Sequence, residues 1–309
     1  MSVLNNLLKA FKPGKPFTLK EAYAVNPDYP SDSVRARIYE HLGVEFKRLG
    51  KGLYTSEDVI LIEGDGRNLS IFEDKSMDCI ITDHPWDDKK SNNGGSRHLA
   101  QYDCFKYTYN DFLEKARVLK EGSFLIEILP AENENNFDYL YEIKKMAQAA
   151  GFMYYSKVSW KKGTFVSNTG RKAKNTEEIM IFSKGKPRAL RPDKQRGVIN
   201  GIPTRFMSGA AGMLPTEFDV QAIPNNKKVV QTEKPVELFE QLLDFFTLPG
   251  ELVLDQFAGS GVTGAACRNK QRNCILIEKC REHVKHIIER LSLKGYIAVP
   301  DVAVYKGSI

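Results

Sequence analysis

Thr82-Asp83-His84-Pro85-Trp86 gathers, within one short stretch, the groups needed to make an amino nitrogen attack. An amino group on an aromatic ring is a weak nucleophile because its lone pair is delocalised into that ring. Accepting both of its N–H bonds frees the pair, and the Asp83 carboxylate and the His84 backbone carbonyl can accept one each. Trp86 adds a flat π-face on which a planar ring can stack and which favours a transiently cationic nitrogen. The His84 imidazole is available as a base but is not required, since the proton can leave to water. A second stretch, Asp255-Gln256-Phe257-Ala258-Gly259-Ser260-Gly261-Val262-Thr263-Gly264, contains G-x-G-x-x-G, and Glu278 follows Gly259 by 19 residues. Glycines so spaced let the backbone approach a ligand, and Glu278 can accept hydrogen bonds from a ribose diol. Any adenosine-containing cofactor fits there. No metal is called for, and Cys280, His283 and His286, at i, i+3 and i+6, drift around a helix instead of converging on an ion.

Elements able to position these groups are legible around them. Each stretch follows an apolar run ending in Asp, Cys79-Ile80-Ile81-Thr82-Asp83 and Leu252-Val253-Leu254-Asp255, which reads as a buried parallel strand delivering residues to its carboxyl end. Ligands bind at that end in open α/β sheets. From residue 57 onward strands alternate with helices: the pattern predicts strands at 59–62, 78–82, 124–129, 153–160, 178–182, 252–255 and 274–277. Asn110 is expected to cap a helix over 111–119, Gly151 to end one over 137–150, and Pro235 to sit in the first turn of one reaching Phe246. The fold class is therefore α/β with a Rossmann-like sheet. Residues 1–56 read as a separate module of three helices, with Thr18 and Ser31 as N-caps, followed by two short strands joined by a basic turn. That order resembles a winged helix-turn-helix, with Arg35 and Arg37 on a recognition helix and Arg48 and Lys51 in the wing against phosphates; the plainer reading is a helical dimerisation cap. Residues 186–231 break the alternation and carry Arg188, Arg191, Lys194 and Arg196, which fits an insertion that contacts nucleic acid.

Composition narrows the class further. With 42% hydrophobic residues over 309 positions the chain can bury a sizeable core, and a formal charge of +6 is mild support for a polyanionic partner. No apolar run approaches the roughly 18 residues of a membrane span and no secretory pattern opens the chain, so a soluble, cytoplasmic protein without a membrane partner is expected. Five cysteines with no C-x-x-C pair suggest free thiols.

Only 45 residues follow Gly264, too few for the rest of a dinucleotide-binding sheet, so the nucleotide-binding unit comes last in sequence, after the strand that carries Asp83. This order resembles the β group of S-adenosylmethionine-dependent DNA amino-methyltransferases, whose motifs are circularly permuted. The resemblance spans about residues 59–291 and rests also on Gly64-Asp65, on the run from Arg117 to Gly122, on that from Asn175 to Gly185, and on Gln231-Thr232-Glu233-Lys234-Pro235. It implies that Asp255, Phe257, Ala258, Gly259, Ser260, Gly261 and Thr263 surround the methionine part of S-adenosylmethionine, that Glu278 holds the ribose, and, more weakly, that Asp65 and Lys234 assist. It implies a base flipped out of double-stranded DNA onto Trp86, with Asp83, His84 and Pro85 as the remaining catalytic motif. Family members with Asp at the first motif position modify adenine N6 and those with Ser modify cytosine N4, so Asp83 points to adenine. His84 departs from the family's usual proline and leaves that φ less fixed. A homodimer and a companion restriction enzyme are compatible with the resemblance. The alternatives are cytosine N4 or RNA adenine methylation, or a non-catalytic DNA-binding regulator on the same fold.

Overall fold

The computed structural model describes residues 2–11, 17–42, 45–50, 52–56, 58–86, 104–163, 175–190, 198–199, 202–203, 213–230, 232–293 and 296–298. The N-terminal module runs α1 (Val3–Ala10), β1 (Phe17–Thr18), α2 (Leu19–Ala24), α3 (Ser31–Glu40), β2 (Lys47–Gly50) and β3 (Leu53–Thr55). Its strands form an antiparallel sheet in the order β1-β3-β2. Thr18 caps α2 as expected, in a capping box with Glu21. Ser31 is not a cap: Pro30 takes that position and Ser31 is the first helical residue. Leu7, Phe17, Val34, Ile38, Phe46 and Tyr54 close a small core of the module's own.

The rest of the chain contributes β4 (Val59–Glu63), β5 (Met77–Thr82), α4 (Tyr109–Val118), β6 (Leu119–Pro130), α5 (Phe137–Ala149), β7 (Phe152–Lys161), β8 (Thr176–Lys184), β9 (Val198–Ile199), β10 (Ile202–Pro203), β11 (Glu217–Asp219), α6 (Val236–Phe246), β12 (Leu252–Asp255), α7 (Val262–Asn269), β13 (Asn273–Glu278), α8 (Arg281–Leu291) and β14 (Ile297–Ala298). Nine strands form one sheet in the order β11-β7-β8-β6-β5-β12-β13-β4-β14, parallel throughout except where β8 runs against β6 and β7. Because successive side chains on a strand point to opposite faces, each central strand feeds two cores. Cys79 and Ile81 of β5, Val253 of β12 and Cys274 and Leu276 of β13 pack on one face with α6, α7 and α8. Ile80, Leu252, Leu254, Ile275 and Ile277 pack on the other with α4 and α5. Strands covered on both faces must be apolar in a continuous run, which is why β12 and β13 lack the alternation of half-exposed strands.

Two expected boundaries move. Thr108, not Asn110, caps α4, because the Asp111 carboxylate reaches back to the Thr108 amide at 2.6 Å. Pro235 occupies the cap of α6 and not its first turn. Residues 186–231 are not wholly irregular either: β11 adds a parallel edge to β7, and Trp160 of β7 donates its indole N–H to the Val220 carbonyl at 2.9 Å.

Candidate active site

The two chemically suggestive stretches leave neighbouring strands at the same end of the sheet. Val253 and Leu254 of β12 pair in parallel with Cys79 and Ile80 of β5, so Asp83 and Asp255 emerge side by side. The junction is bonded directly: Thr82 Oγ1 donates to Asp255 Oδ1 at 3.2 Å. Thr263 Oγ1 donates to Asp255 Oδ2 at 2.5 Å and the Phe257 amide to Oδ1 at 3.1 Å. Burial pushes the Asp255 carboxyl up to about 7, outweighing these donors.

The donor-side loop is shaped to admit a ligand. Gly259 and Gly261 adopt φ of +52° and +79°, where a side chain would be strained, and a Cβ at Gly259 would meet nothing within 4 Å, so the backbone stands open there. Gly261 caps α7, and the N-terminus of a helix is a ready anion site. Glu278 sits beneath the loop, its Oε2 accepting the Gly259 amide at 2.7 Å and its Oε1 the Cys280 amide at 2.8 Å. A carboxylate has lone pairs left over for ribose hydroxyls after two such bonds. Asp65 accepts the Arg67 amide in the loop after β4, and the next residue, Gly66, lies against the donor loop: Gln256 donates to its carbonyl at 2.7 Å, and a Cβ there would fall 1.8 Å from the Gln256 carbonyl oxygen. The carboxylate, amide and open-backbone donor set thus fits a nucleotide-like cofactor bearing a carboxylate. Phe257, Ala258, Ser260 and Thr263 complete the expected set, all on this loop or the first turn of α7.

On the acceptor side Asp83, Pro85 and Trp86 are partly exposed between buried neighbours. The Trp86 side chain stands close enough to the Asp83 carboxylate to favour its anion. Lys234 is here and not in the donor loop: its Nζ is 2.5 Å from Asp83 Oδ2 and 3.4 Å from Glu177. Glu177 also takes Lys162 at 2.6 Å, so a chain of alternating charges runs from the end of β7 through β8 to Asp83. Burial drives the Asp83 carboxyl up while Lys234 opposes it. Burial pushes the Glu177 carboxyl the same way, but Lys234 and Lys162 prevail and its pKa lies below the ordinary value. Burial alone would discharge Lys234, yet Asp83 and Glu177 hold it firmly protonated. Glu177 lies in the Asn175 to Gly185 run that carries the resemblance, but the sequence assigns no role to it or to Lys162. The His84 ring turns away from the opening: it is 1% exposed and points into the core under the motif, which removes it as a general base at the amine.

The basic residues assigned to nucleic acid divide. Arg35 and Arg37 lie on α3 half exposed, paired within the helix to Asp32 and Glu40. Arg48 pairs with Glu73 of the α/β domain at 2.9 Å. Arg188 is spent inside the fold, its guanidinium clamped on Glu251 at 2.6 Å, so its expected place on a nucleic-acid surface is corrected. Lys51, Arg191, Lys194 and Arg196 lie outside the described residues. Among the described residues no cluster of metal-ligating side chains occurs and no helix is long and apolar enough to cross a membrane.

A Rossmann-like sheet with a glycine-rich donor loop beside an Asp-His-Pro-Trp acceptor motif defines an amino-group methyltransferase. Residues 77–290 match the DNA methylase family of N6 and N4 amino-methyltransferases, and the chain belongs to it. It is 26% identical over 227 residues to the type II methyltransferase M.HpaI of Haemophilus parainfluenzae, covering 72% of this chain and 70% of that one. Among solved structures it is similar to the M1.HpyAVI–SAM complex (TM-score 0.54, 20% identity, 76% of this chain and 100% of the other). It is equally similar to the PvuII DNA methyltransferase, cytosine-N4-specific (TM-score 0.54, 16% identity, 76% and 86%). The chain is thus an S-adenosylmethionine-dependent DNA amino-methyltransferase of the N6/N4 class.

Proposed function

We propose that this methyltransferase modifies adenine N6 in double-stranded DNA, on a base flipped out of the duplex, as the modification arm of a restriction-modification pair in the cytoplasm. The observation that carries this reading is the Asp83 carboxylate, held at one oxygen by Lys234 at 2.5 Å beside the donor loop. Asp83 Oδ1 and the His84 carbonyl accept the two amine hydrogens, which turns the nitrogen lone pair toward the donor side. Lys234 opposes the burial that raises the Asp83 pKa, favouring the anion that meets charge developing on nitrogen. Trp86 stands beside Asp83, and its face stacks on the base. When bound, S-adenosylmethionine supplies an electrophilic sulfonium methyl. Asp255, Phe257, Ala258, Gly259, Ser260, Gly261 and Thr263 hold its methionine part, with Glu278 at the ribose and Asp65 adjacent. The nitrogen's surplus proton leaves to water once it carries the methyl.

The N-terminal module supports a duplex substrate. Its helix-strand-helix-helix-strand-strand order is that of a winged helix-turn-helix, and exposed pairs such as Arg35–Asp32 and Arg37–Glu40 are worth only about 0–1 kcal/mol, so both arginines can exchange to phosphates. Arg48 can do the same from the wing, with Lys51, Arg191, Lys194 and Arg196 completing the contact and a homodimer as the working assembly. The test is to incubate the enzyme with duplex DNA and methyl-labelled cofactor, digest to nucleosides and identify the labelled one. Label in N6-methyldeoxyadenosine that disappears in Asp83→Ala supports the proposal; label in N4-methylcytosine, or in RNA only, overturns the substrate.

A further inference from the structure

Under the acceptor motif lies a buried polar group that the transfer chemistry does not use. His84 Nε2 is 2.8 Å from Tyr139 Oη, and the same hydroxyl accepts the Tyr107 amide at 3.0 Å. With that amide pointing at its oxygen, the Tyr139 hydroxyl best uses its one hydrogen on Nε2, which leaves the imidazole proton on Nδ1. Among the described residues Nδ1 has no hydrogen-bond partner, and it faces Glu127 Oε2 across 3.9 Å. Glu127 accepts elsewhere, one oxygen from Lys115 and the other from Tyr107 Oη at 3.2 Å. The imidazole also packs on the Tyr107 ring, centroids 4.2 Å apart, and near Phe105 at 5.7 Å.

These contacts share a short segment, residues 105–107, that touches both halves of the site. The Phe105 amide donates to the Pro85 carbonyl at 3.2 Å, while its ring meets Phe257 of the donor loop at 5.3 Å, and the Tyr107 ring meets Phe257 at 6.4 Å. Arg67, from the loop that backs the donor site, lies over the Phe105 ring at 4.9 Å. An ordinary side chain at position 84 leaves φ free to rotate, and a backbone carbonyl that must receive an amine hydrogen cannot tolerate that freedom.

We propose that the His84 imidazole is a positioning anchor: locked by Tyr139 and stacked on Tyr107, it holds the position-84 carbonyl in register with the donor loop through the 105–107 segment. The role rests on the acceptor pocket assigned above. Its signature is a loss in turnover without a matching loss in binding, since a carbonyl displaced by about 1 Å costs roughly 10²-fold in rate. His84→Ala and Tyr139→Phe are each expected to lower kcat by roughly 10- to 100-fold, while KM for DNA and the Kd for S-adenosylmethionine stay within about threefold. The double variant is expected to lose less than the product of the two single losses, because the changes share the His84–Tyr139 contact while the Tyr107 amide bond is lost only with Tyr139→Phe. His84→Gln, whose amide oxygen can take the Tyr139 hydrogen, is expected to recover most of the lost kcat. Nitrogen-15 spectra of the wild type are expected to show His84 with its proton on Nδ1. The proposal is overturned if Tyr139→Phe, which removes a single oxygen, leaves kcat intact, if the two losses multiply, or if kcat falls only as far as cofactor affinity or melting temperature does. A wild type that labels no amino group at all removes the acceptor assignment itself, whereas an active wild type with unaffected variants removes only the anchor.

Discussion

Lys234 Nζ lies 2.5 Å from Asp83 Oδ2 although the two residues are 151 positions apart, and the contact joins the turn before α6 to the tip of β5. A lysine this deeply buried keeps its charge only because two carboxylates face it, and the lysine in turn opposes the burial that raises the Asp83 pKa. The pair therefore works as a unit in which one side chain sets the protonation of the other.

Lys234→Gln removes the only opposing influence of that strength on a carboxyl that burial already drives up. Methyl transfer near neutral pH is expected to fall by roughly 10²-fold, with the acid limb of the kcat profile moving to higher pH as Asp83 becomes harder to ionise. The Kd for S-adenosylmethionine, measured by calorimetry, is expected to change little, because Lys234 faces the acceptor pocket. A large loss of cofactor binding with an unmoved pH profile would return Lys234 to the donor side.

Asp255 offers a stability test with a definite sign. Its folded pKa of about 7 lies above the ordinary 3.8, so folding favours the protonated form. The stabilisation is complete below the unfolded value and is lost as pH rises through about 7, at no more than about 1.4 kcal/mol per pH unit. Between about pH 5 and pH 7 the wild-type melting temperature is expected to fall a few degrees further than that of Asp255→Asn, the cofactor-free proteins being compared by calorimetry.

Gly66 is where a single methyl group is least tolerated. A Cβ 1.8 Å from the Gln256 carbonyl oxygen forces the loop after β4 away from the donor loop. Gly66→Ala is expected to destabilise the fold by roughly 1–3 kcal/mol and to weaken cofactor binding more than it weakens DNA binding. Unchanged cofactor affinity would show that the two loops do not act together.

Lys115 and Glu127 form a fully buried ion pair beneath the acceptor motif, and burial moves both toward their neutral forms, the lysine down and the carboxyl up. Lys115→Met leaves Glu127 without its cation and is expected to cost roughly 3–5 kcal/mol in urea titration. Adding Glu127→Leu is expected to recover much of that, since an apolar pair carries no desolvation cost, apart from the hydrogen bond Tyr107 then loses.

Arg35 and Arg37 are the accessible test of the duplex contact. If each neutralises one phosphate, Arg35→Ala and Arg37→Ala should each lower the slope of log affinity against log salt by about 0.9. A slope that does not move in either variant would leave α3 as a structural cap.

The parts of this site that were legible in the chain were those written in local spacing. A short apolar run ending in Asp255, followed by glycines at fixed offsets, could be placed at a strand tip because glycine adopts the positive φ values found at Gly259 and Gly261 with the least strain. Long-range pairing was not legible. Lys234 was assigned to the donor because nothing in its neighbourhood reveals that Asp83 stands opposite, and Arg188 looked like a phosphate contact until Glu251 closed on it. Glu127 sits in an apolar run that reads simply as a strand, so the polar cluster under His84 became visible only when α4, β6 and α5 packed together. Capping was misjudged for a related reason: Asn110 and Thr108 are both good caps, and the choice fell to which one the Asp111 carboxylate could reach.

The order of strands also governs how the molecule comes into being. β12 sits at the heart of the sheet between β5 and β13, and its first residue bonds across to Asp78 over a sequence separation of 174. Synthesis proceeds from the N-terminus, so β4 and β5 leave the ribosome long before the strands that fill the gap between them. Until those strands arrive, the nascent chain displays two raw sheet borders lined with valine, isoleucine and cysteine, the kind of edge that recruits other chains. Central pairing of the sheet is thus expected to be slow and late, waiting on the stretch that carries the glycine-rich loop, and a chain released before that stretch is made is expected to aggregate.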